Sequence, residues 1–329
     1  MSEPVLLGDI GGTHARFALA ANGAVIGPVA VRDCADFGDP AALLTAALAG
    51  FEGRPRAALL AAAGAVADDA VRLTNLDWQL DGPALCRSVG FAQCRIVNDF
   101  TAVAWSLPRL PAAELEQVGG GAGLADAARA VIGPGTGLGV SALVPGENGW
   151  AAVSGEGGHA SLASADDFEA AILSRLHAEL GHVSYEAVLA GQGLVRLHHA
   201  IIEVTGAAAA KWTAEHPMRP ADVTRLAREE PGGPAGQAMA VFSRLLGGYA
   251  GDLALIVGAR GGVYIAGGIV PQLGPLFDRV GFRQRFEAKG RFESYLAEIP
   301  AYIITSPAPA LIGLAALAAD MMQADDGRV

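Results

Sequence analysis

The sequence predicts an α/β protein built as two lobes. Three observations carry this: short apolar runs that stop at glycines, Ala/Leu-rich helical stretches between them, and a later return of the opening pattern. At 329 residues the chain suits one large domain or two lobes, and its 52% hydrophobic content is ample for a core.

The elements follow in chain order. "PVLLGDIGG" reads as a buried strand entering a tight turn. "ARFALAA" and "GAVIGPVAV" follow across Gly-containing breaks, which predicts an antiparallel meander rather than a βαβ unit. Pro40 to Gly50 is helical, and "RAALLAAAGAV" and "QCRIVNDF" are further strands, the latter ending at Asn98-Asp99. Pro108, Pro111 and the glycines from 119 to 121 mark a lobe boundary between 108 and 129. "RAVIGPGTGLGVSALVPG" then repeats strand, glycine-rich hairpin and strand, a weak echo of residues 4–20.

Helices dominate the remainder. Ser164 and Asp166 are candidate caps for a helix whose stripe is Phe168, Ile172, Leu176 and Leu180, stopping at Gly181. Residues 237–257 place Val241, Phe242, Leu245, Tyr249, Leu253 and Ile256 on one broad face. "GGVYIAGGIVPQL" is a strand turning into a helix, and a last strand near 302–305 leads into a helix from Ala310 to Met322 that can return to the first lobe. The expected division is residues 1–110 with the C-terminal helix of about 305–329 in a smaller lobe, and 111–304 in a larger one.

Charge narrows the function. Charged residues are 17% of the chain and the net charge is -11, which argues against nucleic acid and anionic membrane surfaces. Any phosphate ligand must then be held by local backbone donors. Cys34, Cys86 and Cys94 have no zinc or disulfide spacing, so a reduced compartment is expected. The N-terminus lacks the basic and apolar regions of a signal peptide. The uncharged run 299–319 is broken by Pro300, Pro307 and Pro309, so it reads as a strand and a buried helix. A soluble cytoplasmic protein is expected.

Three glycine-rich turns stand out: "GDIGGT" (8–13), "GPGTGLG" (133–139) and "AGGI" (266–269). Glycine allows positive φ and close approach of N–H groups to an anion, as a phosphate cradle needs. No Walker lysine follows, and Leu138 breaks the nearest GxGxxG, so each turn alone is also an ordinary Gly hairpin. Asp9 sits where it can orient water on Mg²⁺, and Thr13 and Thr136 add hydroxyls suited to phosphate oxygens. "SGEGGHASL" (154–162) puts Glu156 and His159 among glycines, as a metal half-site, an acid/base pair or a solvated turn.

Together these segments resemble a known family. "LLGDIGGTHARFALA", "IVNDFTAV", "GPGTGLGV", "SGEGGHASLA", "YEAVLAGQGL" and "GGVYIAGGIVP" occur in the order found in the bacterial ATP-dependent glucokinases of the hexokinase/actin-like ATPase superfamily. "TNLDW" (74–78) and "KGRFESYLAEIPAYII" (289–304) extend the match over nearly the whole chain. The resemblance implies an actin-like ATPase (ribonuclease H-like) fold: two α/β lobes, each with a mixed five-stranded sheet, around a deep cleft. It also implies transfer of phosphate from ATP with Mg²⁺ to glucose, the first step of glycolysis. By the resemblance, Gly8, Asp9, Ile10, Gly11, Gly12 and Thr13 form the first phosphate motif and Gly135, Thr136 and Gly137 belong to the second. Gly267 and Gly268 match the adenosine motif, and Asp99 the catalytic aspartate. Asn98, Glu156, His159 and Glu186 match sugar-contacting positions, and Asp99 touches the sugar as well. The family often forms homodimers, although no interface is legible here.

Chemistry agrees with those roles. A hexose is a ring of hydroxyls, each donor and acceptor, so carboxylates and amides that converge on it give selectivity. Asp99, at a strand's carboxyl end, lies where open α/β sheets bind ligands and can accept the proton of an attacking hydroxyl. The plainer readings stand beside these. Asn98-Asp99 is also a turn or helix cap, and Glu186 an exposed helix residue. His177, His182, His198 and His199 fit surfaces or satisfied helix positions, and Asp68-Asp69 and Asp166-Asp167 fit solvated turns or caps. Two departures from the family pattern are His14, where many relatives carry Asn, and Gln192 in "LAGQG". The residues after His159, "ASLASADDFEAA", lack the cysteines of the related zinc-containing sugar kinases and repressors, so no structural zinc is expected. No helix-turn-helix pattern precedes "VLLGDIGGT", so a repressor role is not expected.

Overall fold

The computed structural model describes residues 3–73, 76–147, 149–208 and 217–326. Thr74 and Asn75 of "TNLDW", and residues 327–329 of the expected C-terminal helix, lie outside them. Strands β1 (Val5–Ile10), β2 (His14–Ala21) and β3 (Ala24–Asp33) form the antiparallel meander that the glycine-broken apolar runs predict. Helix α1 (Pro40–Leu48) starts where the Asp39 side chain accepts the Ala42 N–H at 2.8 Å and Pro40 fits the first turn. Strand β4 (Ala57–Ala62) then lies parallel to β1. A small hairpin, β5 (Ala70–Arg72) and β6 (Gln79–Asp81), precedes α2 (Gly82–Val89) and β7 (Gln93–Asn98), which is parallel to β4. Helix α3 (Asp99–Ser106) follows directly. The first sheet has the order β3-β2-β1-β4-β7.

The second half repeats this plan. After β8 (Leu115–Gln117) come β9 (Arg129–Pro134), β10 (Leu138–Gly146) and β11 (Gly149–Ser154) as a second antiparallel meander. The helical stretch supplies α4 (Asp167–Leu180), α5 (Tyr185–Leu189), α6 (Gly191–Thr205), α7 (Pro220–Glu229) and α8 (Pro234–Val257). Then β12 (Val263–Ile265), α9 (Ile269–Leu273), α10 (Arg279–Glu287), α11 (Glu293–Ala297), β13 (Ala301–Ile304) and α12 (Pro309–Asp326) complete the chain. Strands β11-β10-β9-β12-β13 match β3-β2-β1-β4-β7 in order and in every pairing direction. The sequence echo is thus a structural repeat.

The second sheet departs from the expectation in having six strands. Leu115–Gln117 pairs antiparallel with β13 and adds an edge from within the stretch read as a boundary. Its partner lies far along the chain, so no local pattern marks it. Two helix stripes also end early. Leu180 is 36% exposed and Ile256 75% exposed, although Ile172, Leu176, Val241, Phe242, Leu245, Tyr249 and Leu253 are buried as predicted. Helix α8 is long and apolar enough to cross a membrane, yet 67% of its most apolar window is buried inside the protein.

Helix α12 packs on α3 and on β1, β2, β3 and β4. The crossing with α3 is close: a Cβ on Gly313 would lie 1.7 Å from the Ala102 carbonyl oxygen. One apolar cluster combines α3, α12 and residues from both sheets, including Leu7, Leu59, Val131 and Tyr264. The start of α3 is therefore set in the interior between the two halves. Parallel strands β1, β9 and β12 end in the three glycine turns and β7 ends at Asn98-Asp99, the position where α/β sheets collect ligands.

Candidate active site

Asp99 is the first residue of α3, at the end of β7. Burial is the largest influence on its carboxyl and raises it to about 6; the Phe100 N–H opposes this, while the charges of Asp9 and Glu156 add to it. Asp9 comes from the end of β1, and burial raises its pKa too, against the Arg16 guanidinium 3.7 Å away. The Asp99 carboxyl thus feels two other carboxylates from separate segments.

Asn98 is the cap that the plainer reading expected. Its Oδ1 accepts the N–H groups of Phe100 at 2.9 Å and Thr101 at 3.1 Å, and its Nδ2 donates to the Gly64 carbonyl at 3.1 Å. A second amide hydrogen is left over, and Asn98 lines a 360 Å³ cavity with Gly64, Thr101, Ser154, Gly155 and Glu156. That volume is in the small-ligand range. The Thr101 and Ser154 hydroxyls lie 2.6 Å apart and tie α3 to the start of "SGEGGHASL".

Glu156 precedes, and His159 ends, a short 3-10 turn over Gly157–His159. The Tyr249 hydroxyl donates to the Gly157 carbonyl, and the Tyr185 and Tyr249 rings stack with centroids 3.8 Å apart. Burial pushes both phenols up to about 12, so they stay protonated donors. His159 Nδ1 is 3.9 Å from Glu186 Oε1. The other oxygen of Glu186 accepts the Leu138 N–H at 2.9 Å, and a Cβ on Gly137 would meet it at 2.5 Å. Glu186 is therefore no free surface residue; it joins the histidine to the second glycine turn.

The glycine turns are built differently from the expectation. Gly8, Gly11, Gly12, Gly135 and Gly137 all avoid positive φ. Gly8 lies inside β1, where a Cβ would strike Leu60 at 2.7 Å, and Ile10 points into the core. Those two residues serve packing and offer only backbone. In the first turn Gly11 N–H bonds the His14 carbonyl at 3.1 Å, so the unusual residue takes part through its main chain while its side chain is exposed. In the second, Gly135 N–H bonds the Gly137 carbonyl at 2.8 Å, and Gly191 N–H bonds the Gly135 carbonyl at 3.0 Å. No acceptor among the described residues takes the N–H of Gly12, Thr13, Thr136 or Gly137, which leaves them for an anion. Thr13 and Thr136 are exposed.

Gly267 does need its glycine. It has φ +82, and a Cβ there would lie 2.4 Å from the Pro134 carbonyl oxygen, so the third turn is wedged against the second. Beside it a 530 Å³ cavity is lined by Gly191, Arg219, Thr224, Arg228, Ile269 and Gln272. No motif in the sequence marks Arg219 or Arg228, and Tyr249 is legible there only as a core-stripe residue. Gln192 is exposed.

The other polar candidates sort as follows. Asp166 caps α4 by accepting the Glu169 N–H at 2.7 Å, whereas Ser164 does not. Asp68 and Asp69 form a positive-φ turn, with Asp69 also holding Arg95 at 2.9 Å. His177 bonds the Gly181 carbonyl and His182 the Ser161 hydroxyl. His198 is a correction: it is 4% exposed and its buried Nδ1 has no partner among the described residues, because helix α6 turns that face into the core.

Two glycine turns and a half-buried aspartate at the end of β7, set on repeated βββαβαβ sheets, define a sugar kinase of the actin-like ATPase fold. The Glucokinase family model matches residues 6–321. The chain is 45% identical over 324 residues to the glucokinase of Paramagnetospirillum magneticum, covering 97% of this chain and 99% of that one. It is 47% identical over 319 residues to the glucokinase of Aromatoleum aromaticum, covering 95% and 93%. The crystal structure of a glucokinase from an Antarctic psychrotroph matches with TM-score 0.87 and 34% identity, over 96% of this chain and 99% of that one. A ROK family glucokinase from Streptomyces griseus in complex with glucose and AMPPNP shares the fold, with TM-score 0.62 and 20% identity over 95% and 98%. The chain belongs to the glucokinase family.

Proposed function

We propose a division of labour among these residues for the family reaction, the ATP-dependent phosphorylation of glucose at its 6-hydroxyl to give glucose 6-phosphate and ADP. The observation that carries it is the half-buried Asp99 carboxyl at the end of β7, raised to about 6 by desolvation and then by the charges of Asp9 and Glu156. A base with that affinity is ionised at neutral pH yet binds a proton readily as one is released. In the proposed step Asp99 takes the 6-hydroxyl proton while the oxygen bonds to the γ-phosphorus. The bond from that phosphorus to the β-γ bridging oxygen breaks, and its electrons leave on ADP. Positioning and charge stabilisation supply the rest of the acceleration.

Glu156, His159, Glu186 and the spare amide hydrogen of Asn98 read sugar hydroxyls in this proposal. The N–H groups of Gly12, Thr13, Thr136 and Gly137 receive phosphate oxygens. Gly267 and Gly268, next to the 530 Å³ cavity, take the adenosine end. Among the described residues no three His, Cys, Asp or Glu side chains gather as a metal site. Two half-buried carboxylates near each other, Asp9 and Asp99, nevertheless suit a cation carried in on the nucleotide, and Asp9 would hold it through water. Mg²⁺ bound there would neutralise charge on the β- and γ-phosphates.

A coupled assay with ATP and a panel of hexoses tests the reading. Turnover confined to glucose is expected, turnover of another hexose alone would move the specificity, and turnover of none would leave only a sugar sensor. A cytoplasmic homodimer belongs to the same proposal, and light scattering on the purified protein checks its mass.

A further inference from the structure

Two glycines of the second motif take no part in its turn. Gly133 lies in β9 and Gly139 in β10, directly opposite each other across the antiparallel pair. A Cβ on Gly133 would lie 2.2 Å from Phe100 Cζ, and one on Gly139 would lie 1.9 Å from Phe100 Cδ2 and 2.0 Å from Cε2. Both distances are far inside van der Waals contact, so the Phe100 ring occupies the space that two side chains would fill. The ring is seated on the hairpin one residue pair below its tip, since Pro134 and Leu138 form the next pair.

Phe100 is also the residue after Asp99. Its N–H is shared by Asn98 Oδ1 and Asp99 Oδ1, each at 2.9 Å. One residue thus grips the aspartate by its main chain and the hairpin by its ring. It bridges a helix that follows the first sheet and a turn that belongs to the second.

We propose that Phe100 is a positioning residue for phosphoryl transfer: its ring, seated on the Gly133 and Gly139 pair, sets the separation between the Asp99 carboxylate and the β9–β10 turn. The inference rests on reading Asp99 as the base and that turn as a phosphate cradle. A planar ring with few torsions is a stiff spacer, and glycine is the residue that lets a backbone come so close. Leucine in place of phenylalanine is shorter and not flat, so the hairpin and the aspartate settle at a different spacing.

The test uses the full chain with Phe100→Leu, Gly139→Ala, the double variant and Asp99→Asn, read by steady-state kinetics and thermal melting. Phe100→Leu should lower kcat by roughly 10- to 100-fold while KM for glucose and ATP stays within about threefold, the split expected of misplaced reacting groups. Gly139→Ala keeps the ring but lifts it, so it should lower kcat similarly. The double variant should lose less than the product of the two, because the new methyl enters space the ring has left. A kcat for Phe100→Leu near wild type, with Asp99→Asn inactive, overturns the positioning role and leaves the base intact. Full turnover by Asp99→Asn removes the base reading and this inference with it. Strictly multiplicative kcat losses reduce the ring to core packing and also overturn the proposal. If Phe100→Leu does not fold, an unchanged kcat in Gly139→Ala overturns it.

Discussion

Replacing Asp99 by asparagine should make the protein more stable and inactive at once. Asp99 is raised from 3.8 to about 6, chiefly by burial and then by the charges of Asp9 and Glu156. The native state therefore holds this proton more tightly than the unfolded chain does. The stability contributed by that proton is complete below about pH 4 and is lost as pH rises through about 6. At pH 8 the ionised carboxylate costs roughly 1.36 kcal/mol per unit, hence about 3 kcal/mol. Asparagine keeps the shape and an acceptor for the Phe100 N–H, and removes the charge. Urea unfolding at pH 8 should show the variant more stable by up to about 3 kcal/mol, with the midpoint of melting several degrees higher. At pH 4 the difference should vanish. Turnover of glucose should fall by on the order of 10² or more. A variant less stable at pH 8, or equally favoured at both pH values, would refute the account of Asp99 as a carboxylate whose proton affinity the fold raises.

Other expectations follow from the same geometry. kcat/KM should fall as pH drops through about 6, as Asp99 takes its proton, and Asp9→Asn should move that limb lower by removing a neighbouring charge; a pH–rate profile checks both. Glu156→Ala should raise KM for glucose by the equivalent of about 1–3 kcal/mol and leave KM for ATP unchanged, and initial-rate kinetics with each substrate varied would expose the opposite pattern. Tyr249→Phe keeps the stack on Tyr185 but loses the bond to the Gly157 carbonyl, so glucose KM should rise by about 1 kcal/mol with kcat little changed. Equal kinetics for Tyr249→Phe and wild type would show that the phenol does not hold the loop.

What the sequence made legible is what local rules govern. The two meanders were readable because glycines punctuate short apolar runs, and the Asp166 cap because a capping side chain acts within three residues. Strand β8 was not readable: three residues between Pro111 and Gly119 form a strand only because β13 offers them an edge. The glycines show the same divide. Positive φ is a local reason and holds at Gly267, but Gly8, Gly133, Gly137 and Gly139 are glycine for neighbours distant in sequence: Leu60, Phe100 and Glu186. Asp99 could be singled out as a strand-end carboxylate. Its raised affinity for a proton comes chiefly from desolvation, with the charges of Asp9 and Glu156 adding to it, and both are tertiary facts.

The acidity of the cleft bears on the form in which nucleotide enters. Asp9, Asp99, Glu156 and Glu186 come from four separate segments and meet around the two glycine turns, in a chain of net charge -11. A bare polyphosphate would meet like charge from the side chains, and backbone N–H groups carry only partial positive charge. The cationic side chain that approaches Asp9, Arg16, lies on the strand side of the turn and is 3.7 Å from its carboxylate. A divalent ion carried in on the nucleotide would resolve this: Asp9 and its neighbouring carboxylates would hold its hydration shell, and its charge would offset theirs. The same charge would lower the proton affinity of Asp99 as the nucleotide arrived. Under the proposed role, Asp99 would then be fully ionised with both substrates present, and half-protonated and less costly to the fold near pH 6 without them.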